Sequence, residues 1–132
     1  MRPIPPGAKG SFTFVVTPAQ LASQFKDATL PPVLATPVMI MAMENAALNA
    51  IRPFLEPSET ALGTAVDVRH LAATPVGQRV RAEAEVTMVE GRRVEFMVSA
   101  RDETEEIGRG AHQRMVVDYA RIERRLAAKS KP

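Results

Sequence analysis

The stretch that decides the fold is the segment "ATPVMIMAMENAALNAIRP", residues 35–53. Thr36 suits a helix N-cap, Pro37 suits the first helical position, and Pro53 ends the pattern. Glu44 is the only acidic residue between these ends. A helix that is apolar on all sides is normally buried, and a buried carboxylate is costly unless it is paired or hydrogen-bonded. The sequence therefore predicts a buried central helix in which Glu44 has a specific partner.

After residue 60 the apolar residues change to a period of two. The segments 61–70, 79–89, 94–100 and 107–117 alternate between apolar and polar positions. Such alternation predicts antiparallel strands with one face covered. The residues predicted to point inward are Leu62, Thr64, Val66, Val68, His70, Val80, Ala82, Ala84, Val86, Met88, Val94, Phe96, Val98 and Ala100.

The long helix is the only predicted element that can cover this sheet. A β-rich run at 11–16 and a two-turn helix at 18–25 precede the long helix. The order predicts an α+β fold in which one antiparallel sheet wraps around one central helix. We expect a single domain over 1–132, with an N-terminal extension at 1–9 and a basic C-terminal helix and tail at 119–132.

The composition argues against several classes of protein. The chain has 132 residues, of which 45% are hydrophobic and 24% charged, as in an ordinary globular domain. With no cysteine and two histidines, it lacks disulfides, thiolate sites and the ligands of a multi-histidine metal site. No apolar run reaches the roughly 20 residues that span a bilayer, and no hydrophobic signal core precedes the first prolines. We therefore expect a cytoplasmic protein with no membrane segment and no metal.

The positive charge is concentrated at the C-terminus. The net charge is +2, and much of the excess lies in "ARIERRLAAKSKP", residues 120–132. Single-stranded nucleic acid is usually bound with aromatic stacking, but the chain has one tyrosine and no tryptophan. We therefore expect a solvated terminal helix and no nucleic-acid partner, with the phosphates of a nucleotide-containing substrate as an alternative contact.

Two titratable side chains point into the same predicted apolar layer. Glu44 comes from the helix and His70 from the inward face of its strand. Burial and mutual charge perturb the pKa values of such a pair, as they do in catalytic acid–base pairs. Thr36 lies about 12 Å from Glu44 along an unbroken helix, so it joins them only if the chain bends before Pro37. The extended backbone expected for a residue before proline permits that bend.

Each of these residues also has a purely structural interpretation. Thr36 can serve only as a helix cap, His70 as a hydrogen-bonded core histidine, and Glu44 as the partner of an arginine such as Arg114. The seven methionines either provide adaptable core packing or line a cavity for an acyl chain. The residue pattern by itself leaves these alternatives open.

Three stretches resemble the fluoroacetyl-CoA thioesterase family of the hotdog fold. They are "ATPVMIMAMENAA" (35–47), "PFLEPSETALGTAVDVRHLAATPVG" (53–77) and "VEGRRVEFMVSARDETEEIGRGAHQRMVV" (89–117), and they follow one another at family-like spacing. The resemblance implies an acyl-CoA thioesterase whose substrate is a coenzyme A thioester, with no other cofactor. It also implies a homodimer in which two sheets join edge to edge and the active sites lie at the interface.

The resemblance also assigns site residues. Thr36, Glu44 and His70 stand at the places of the family's threonine–glutamate–histidine catalytic set. Gly63 matches a glycine that lines the family's substrate site, and Arg114 matches an arginine near that site.

The segment that would form a lid over the acyl group departs from the family. In "SQFKDATLPPVLAT" (23–36), Asp27 and Leu30 stand where the fluoroacetyl-specific enzyme is aromatic, and Phe25 lies nearby. Phe25 and Leu30 are the expected substrate contacts in this lid. We therefore expect a short- to medium-chain acyl group rather than strict selectivity for the fluoroacetyl group.

The reaction implied by the resemblance is thioester hydrolysis. Glu44 acts as the nucleophile or as the base for water, and the sequence does not choose between these roles. His70 helps protonate the leaving thiolate, Thr36 orients the carboxylate or water, and Gly63 donates to the oxyanion. Arg114 orients Glu44 or binds the substrate. The alternatives are a hotdog-fold hydratase or dehydratase and a non-catalytic binder of acyl-CoA or another small ligand.

Overall fold

The computed structural model describes residues 1–131. Their sheet has the strand order β1-β3-β4-β5-β2, and every neighbouring pair is antiparallel. The predicted α+β class is confirmed. The elements are β1 (Lys9–Val15), α1 (Ala22–Phe25), α2 (Thr36–Ile51), β2 (Glu59–His70), β3 (Arg79–Glu90), β4 (Arg93–Arg101), β5 (Glu106–Asp118) and α3 (Tyr119–Lys129), with short 3₁₀ turns at Pro18–Gln20 and Arg52–Phe54. The two-turn helix predicted at 18–25 is instead one of these turns followed by α1.

Helix α2 begins one residue earlier than predicted. Ala35, rather than Thr36, is the extended N-cap residue, and its carbonyl accepts hydrogen bonds from the amides of Val38 and Met39. Thr36 is already helical and its hydroxyl does not cap the helix. Pro37 is tolerated in the first turn because that turn needs no amide donor from it. The preference of a residue before proline for extended backbone is thus overridden here.

The buried side of the sheet packs on α2 along β1, β3 and β4. The inward residues predicted for β3 and β4 are buried, with the exception of Met88. A register shift between Val86 and Met88 turns Met88 outward, where it is 45% exposed. Gly10 of β1 brings sheet and helix close together, because a Cβ at this position would meet the backbone of Ala46 and Ala50.

Strand β2 forms one edge of the sheet, and its predicted inward face is only half correct. A register shift between Gly63 and Ala65 interrupts the alternation. Val66 and His70 share the inner face of the sheet, but so does Gly63, which pairs with Arg114. The predictions for Leu62 and Thr64 are therefore wrong, since one extra residue moves the preceding part of a strand to the other face.

Within residues 1–131, no helix combines the length and apolar character needed to cross a membrane.

Candidate active site

The first part of the site lies where α2 begins and β2 ends. A hydrogen bond of 2.8 Å joins the Thr36 Oγ1 and His70 Nδ1 atoms. The other ring nitrogen, Nε2, is buried and has no hydrogen-bond partner among the described residues. Burial lowers the pKa of His70, and the carbonyl of Ala72, which lies outside hydrogen-bonding geometry, partly opposes this effect. A neutral imidazole with one free nitrogen is suited to receiving or delivering a proton.

The second part of the site surrounds Glu44, in the middle of α2. The Oε2 atom of Glu44 lies 4.0 Å from Nη1 of Arg114, whose side chain is largely buried. A Cβ added to Gly63 would stand 2.9 Å from the same carboxylate oxygen, so the glycine leaves the space that Glu44 occupies. Arg114, which the sequence suggested as a partner for Glu44, therefore lies beside it in the structure.

Arg114 is held by the backbone of the neighbouring strand. Its Nη2 atom donates to the carbonyl of Ala61 over 2.7 Å, while its Nε atom is buried and has no hydrogen-bond partner among residues 1–131. Burial lowers the pKa of Arg114, and the charge of Glu44 opposes this effect. Even so, an arginine stays protonated at any physiological pH, so a fixed cation stands beside the carboxylate.

His112 belongs to this second group and was missed by the sequence-based prediction. Its Nδ1 atom lies 2.8 Å from the carbonyl oxygen of Ala65, and its Nε2 atom lies 3.1 Å from Nη1 of Arg114. Burial lowers the pKa of His112; the Ala65 carbonyl and Glu44 oppose this effect, whereas the Arg114 charge adds to it. The signal in the sequence was its position two residues before Arg114, on the same face of a predicted strand.

Within one chain, the two groups do not meet. Among the described residues, no hydrogen bond or ion pair joins Glu44 to Thr36 or His70. Glu44 is eight residues after Thr36 in the helix, a rise of about 12 Å, and His70 is seven residues after Gly63, or about 23 Å along a regular strand. Within a single chain, His70 therefore does not lie beside Glu44. The chain also does not fold back at Thr36.

The predicted lid residues lie on the surface between α1 and α2. Phe25 ends α1 and Leu30 precedes the double proline, and both are exposed in the chain. Between them, Asp27 accepts hydrogen bonds from the backbone amide and the hydroxyl of Thr29, which lower its pKa. This carboxylate therefore stabilises a turn at one of the positions where the resemblance implies an aromatic side chain.

Comparisons with known proteins agree with this architecture. The model of the fluoroacetyl-CoA-specific thioesterase family matches residues 16–120. The fluoroacetyl-CoA thioesterase of Streptantibioticus cattleyicolor is 40% identical over 129 residues, which cover 94% of this chain and 93% of that protein.

Solved structures show the same relationship. A structure of the fluoroacetyl-CoA thioesterase FlK superposes with a TM-score of 0.91 at 38% identity, covering 98% of this chain and 99% of that one. A Thermus thermophilus member of the thioesterase superfamily gives a TM-score of 0.88 at 38% identity, with 98% and 97% coverage. The sheet around α2 is thus the expected hotdog fold. The chain is a thioester hydrolase, and it belongs to the fluoroacetyl-CoA-specific thioesterase family.

Proposed function

We propose that the protein hydrolyses short- to medium-chain acyl-CoA thioesters with Thr36, Glu44 and His70 as its catalytic residues. Family membership supports the acyl-CoA substrate, since the relative with 40% identity is a fluoroacetyl-CoA thioesterase. The observation that carries the choice of residues is the 2.8 Å Thr36–His70 hydrogen bond, which leaves the second imidazole nitrogen free. Coenzyme A is the only cofactor-like group in the proposal, and it is part of the substrate.

A homodimer would unite the two parts of the site. Strand β2 pairs with β5 on one side only, so its other edge can pair with a second copy. Antiparallel pairing of two β2 strands about a centre at Asp67 would set Gly63 opposite His70 of the partner subunit, because Thr64 is the extra residue of the bulge. The carboxylate of Glu44 would then face an imidazole from the other chain. The same contact would cover Val66, which is 42% exposed on the inner face.

The proposed chemistry follows from these positions. In the general-base route, Glu44 takes a proton from water, the water oxygen bonds to the thioester carbonyl carbon, and the carbon–sulfur bond breaks. The proton reaches the leaving thiolate through His70, whose lowered pKa makes its protonated form a ready donor. Thr36 holds the imidazole, and the backbone amide of Gly63 is the proposed oxyanion donor. In the alternative route, the Glu44 carboxylate bonds to the carbonyl carbon, the carbon–sulfur bond breaks to release the thiolate, and water then cleaves the resulting anhydride.

The first experiment measures thiol release from acyl-CoA by Glu44→Gln and His70→Asn variants. Loss of a catalytic acid or base lowers kcat by about 10²- to 10⁴-fold. Glu123→Gln, on the exposed surface of α3, is the matched control and should retain full activity. Near-normal turnover by Glu44→Gln would rule out its role as nucleophile or base.

The second experiment is a substrate panel from acetyl-CoA to long-chain acyl-CoA, with fluoroacetyl-CoA included. The exposed aliphatic Leu30 and the turn at Asp27 favour short and medium acyl chains over strict fluoroacetyl selectivity. The same panel separates the alternatives. A hydratase would add water to an enoyl-CoA without releasing thiol, and a binding protein would retain its ligand intact.

The third experiment determines the oligomeric state by light scattering. We expect a dimer, and a Val66→Arg variant beside the proposed centre should be monomeric and inactive, because the two new arginines would lie diagonally across the pairing on the inner face. A stable, active wild-type monomer would contradict the shared site. The proposed compartment is the cytoplasm, which imaging of a tagged protein tests.

A further inference from the structure

His112 is a buried titratable residue to which the proposed chemistry assigns no role. It lies on the inner face of β5 and is 3% exposed. Its ring stacks on Phe96 of β4, with a centroid distance of 5.8 Å and an interplanar angle of 25°. The packing fixes the plane of the ring and therefore the directions of both nitrogen atoms.

The two partners of His112 determine its protonation state. The carbonyl of Ala65, 2.8 Å from Nδ1, can only accept a hydrogen bond, so Nδ1 carries a proton. The guanidinium of Arg114, 3.1 Å from Nε2, can only donate, so Nε2 must offer its lone pair. His112 is therefore neutral and confined to one tautomer. The charged groups that face it are Glu44 from α2 and Arg114 from β5, while Ala65 of β2 and Phe96 of β4 are uncharged.

The contacts of Arg114 show what this acceptor does. One terminal nitrogen donates to Ala61, and Nε has no partner among the described residues. The other terminal nitrogen, Nη1, is the atom nearest Glu44, yet 4.0 Å is too long for a hydrogen bond to the carboxylate. The hydrogen bond to His112 is the contact that fixes Nη1 in this place.

We propose that His112 is a positioning residue that holds Nη1 of Arg114 beside Glu44 and Gly63 through its Nε2 lone pair. The inference rests on the proposed function, since its consequence is a correctly placed cation and carboxylate in a thioesterase site. A displacement of about 1 Å in such a group lowers the rate about 10²-fold. The hydrogen bonds of His112 go to Ala65 and Arg114, and neither goes to Glu44 or to the proposed reacting atoms.

Two substitutions separate the contacts of the ring. His112→Asn places an amide near the Nδ1 position and retains a donor for Ala65, but it removes the acceptor for Arg114. His112→Gln reaches the Nε2 position and can offer its amide oxygen to Arg114. We expect kcat/KM to fall by about 10- to 100-fold in His112→Asn and to recover at least partly in His112→Gln. Equal losses in both variants would overturn the inference.

A double-mutant cycle with Arg114→Ala tests whether His112 acts through the arginine. If it does, His112→Asn should change kcat/KM by less than about twofold in the Arg114→Ala background. A purely structural role predicts additive losses, and additivity would overturn the inference.

Nitrogen NMR of the imidazole rings provides a readout that needs no turnover. We expect His112 to be neutral and protonated at Nδ1 in the wild type, and its pKa to rise in Arg114→Ala because a neighbouring positive charge is removed. Protonation at Nε2, or an unchanged pKa in the variant, would overturn the inference. If the NMR result holds but no acyl-CoA is hydrolysed, the proposed function fails and the pairing of His112 with Arg114 stands.

Discussion

The inner surface of the sheet has two halves that differ in chemistry. The covered half, formed by β1, β3 and β4, packs on α2 and presents Val, Ala and Phe side chains. The open half, formed by β5 and β2, adds glycines, two histidines and an arginine to apolar residues such as Val66 and Val116, and α2 touches it at few points. Both halves belong to one continuous sheet with the same hydrogen-bonding pattern.

Under the proposed function, one sheet serves stability and chemistry in separate halves. Apolar burial stabilises a fold in proportion to the area removed from water, and the covered half supplies most of it. The open half leaves space instead: Gly63 makes room for Glu44, and Val66 is 42% exposed. We therefore expect substitutions in the covered half to change the free energy of unfolding and those in the open half to change activity.

The largest expected effect on stability is in the covered half, at Gly10. In Gly10→Ala the new methyl group would meet the backbone of α2 at Ala46 and Ala50, which cannot move without shifting the helix. We expect the free energy of unfolding to fall by about 3 kcal/mol or more. Chemical denaturation measures this change, with Ser11→Ala on the adjacent residue as the control. A loss below about 1 kcal/mol would contradict the close helix–sheet contact.

A smaller effect on stability is expected at Glu59, whose side chain links β2 in the open half to the β3–β4 turn of the covered half. This β2 carboxylate binds the N-terminal amine of Met1 and, over 2.9 Å, Arg92 in the β3–β4 turn. The backbone amide of Glu56 is the largest cause of the lowering of its pKa to about 2, and the N-terminal amine and Arg92 contribute. A carboxylate with a lowered pKa stabilises the fold fully above pH 4.5, and this stability is lost as the pH falls towards about 2.

The measurement is the free energy of unfolding of the wild type and Glu59→Gln across that pH range. Because the network lies near the solvent, we expect a difference of roughly 1–2 kcal/mol above pH 4.5 that disappears near pH 2. Glu105→Gln, on an exposed turn, should show no such difference. A difference that is independent of pH would show that the charge of Glu59 does not stabilise the fold.

The sequence predicts the covered half well and the open half poorly. The alternation in β4 places Val94, Phe96, Val98 and Ala100 inward, as observed, because a regular strand keeps its period. At Gly63–Ala65 the alternation of residues does not reveal a bulge. The extra residue changes the face on which the neighbouring side chains lie, but it leaves the composition of the strand unchanged.

The candidate site shows the same limit at a longer range. The sequence identified Glu44, His70 and Arg114 as polar residues in apolar surroundings. It did not show that Thr36 and His70 pair at one end while Glu44 and Arg114 pair in the middle, since that depends on where α2 crosses the sheet. His112 was missed because its position two residues before Arg114 shows only that the two share a strand face, whereas its hydrogen bonds depend on how the strands pair.

The smallest effect on stability is expected from the same substitution in the open half, Gly63→Ala. Here the new methyl group would stand 2.9 Å from an oxygen at the end of the Glu44 side chain, which can move where a backbone cannot. Alanine is also favoured over glycine within a strand, so the free energy of unfolding should change by less than about 0.5 kcal/mol.

Activity, unlike stability, should fall markedly in Gly63→Ala. Moving the Glu44 carboxylate away from its place beside Arg114 should lower kcat/KM by about tenfold or more. The comparison with Gly10→Ala is matched, since one methyl group is added on the inner face in each case. If Gly63→Ala unfolds the protein, or leaves thioester hydrolysis unchanged, the division between a stabilising half and a catalytic half is wrong at this position.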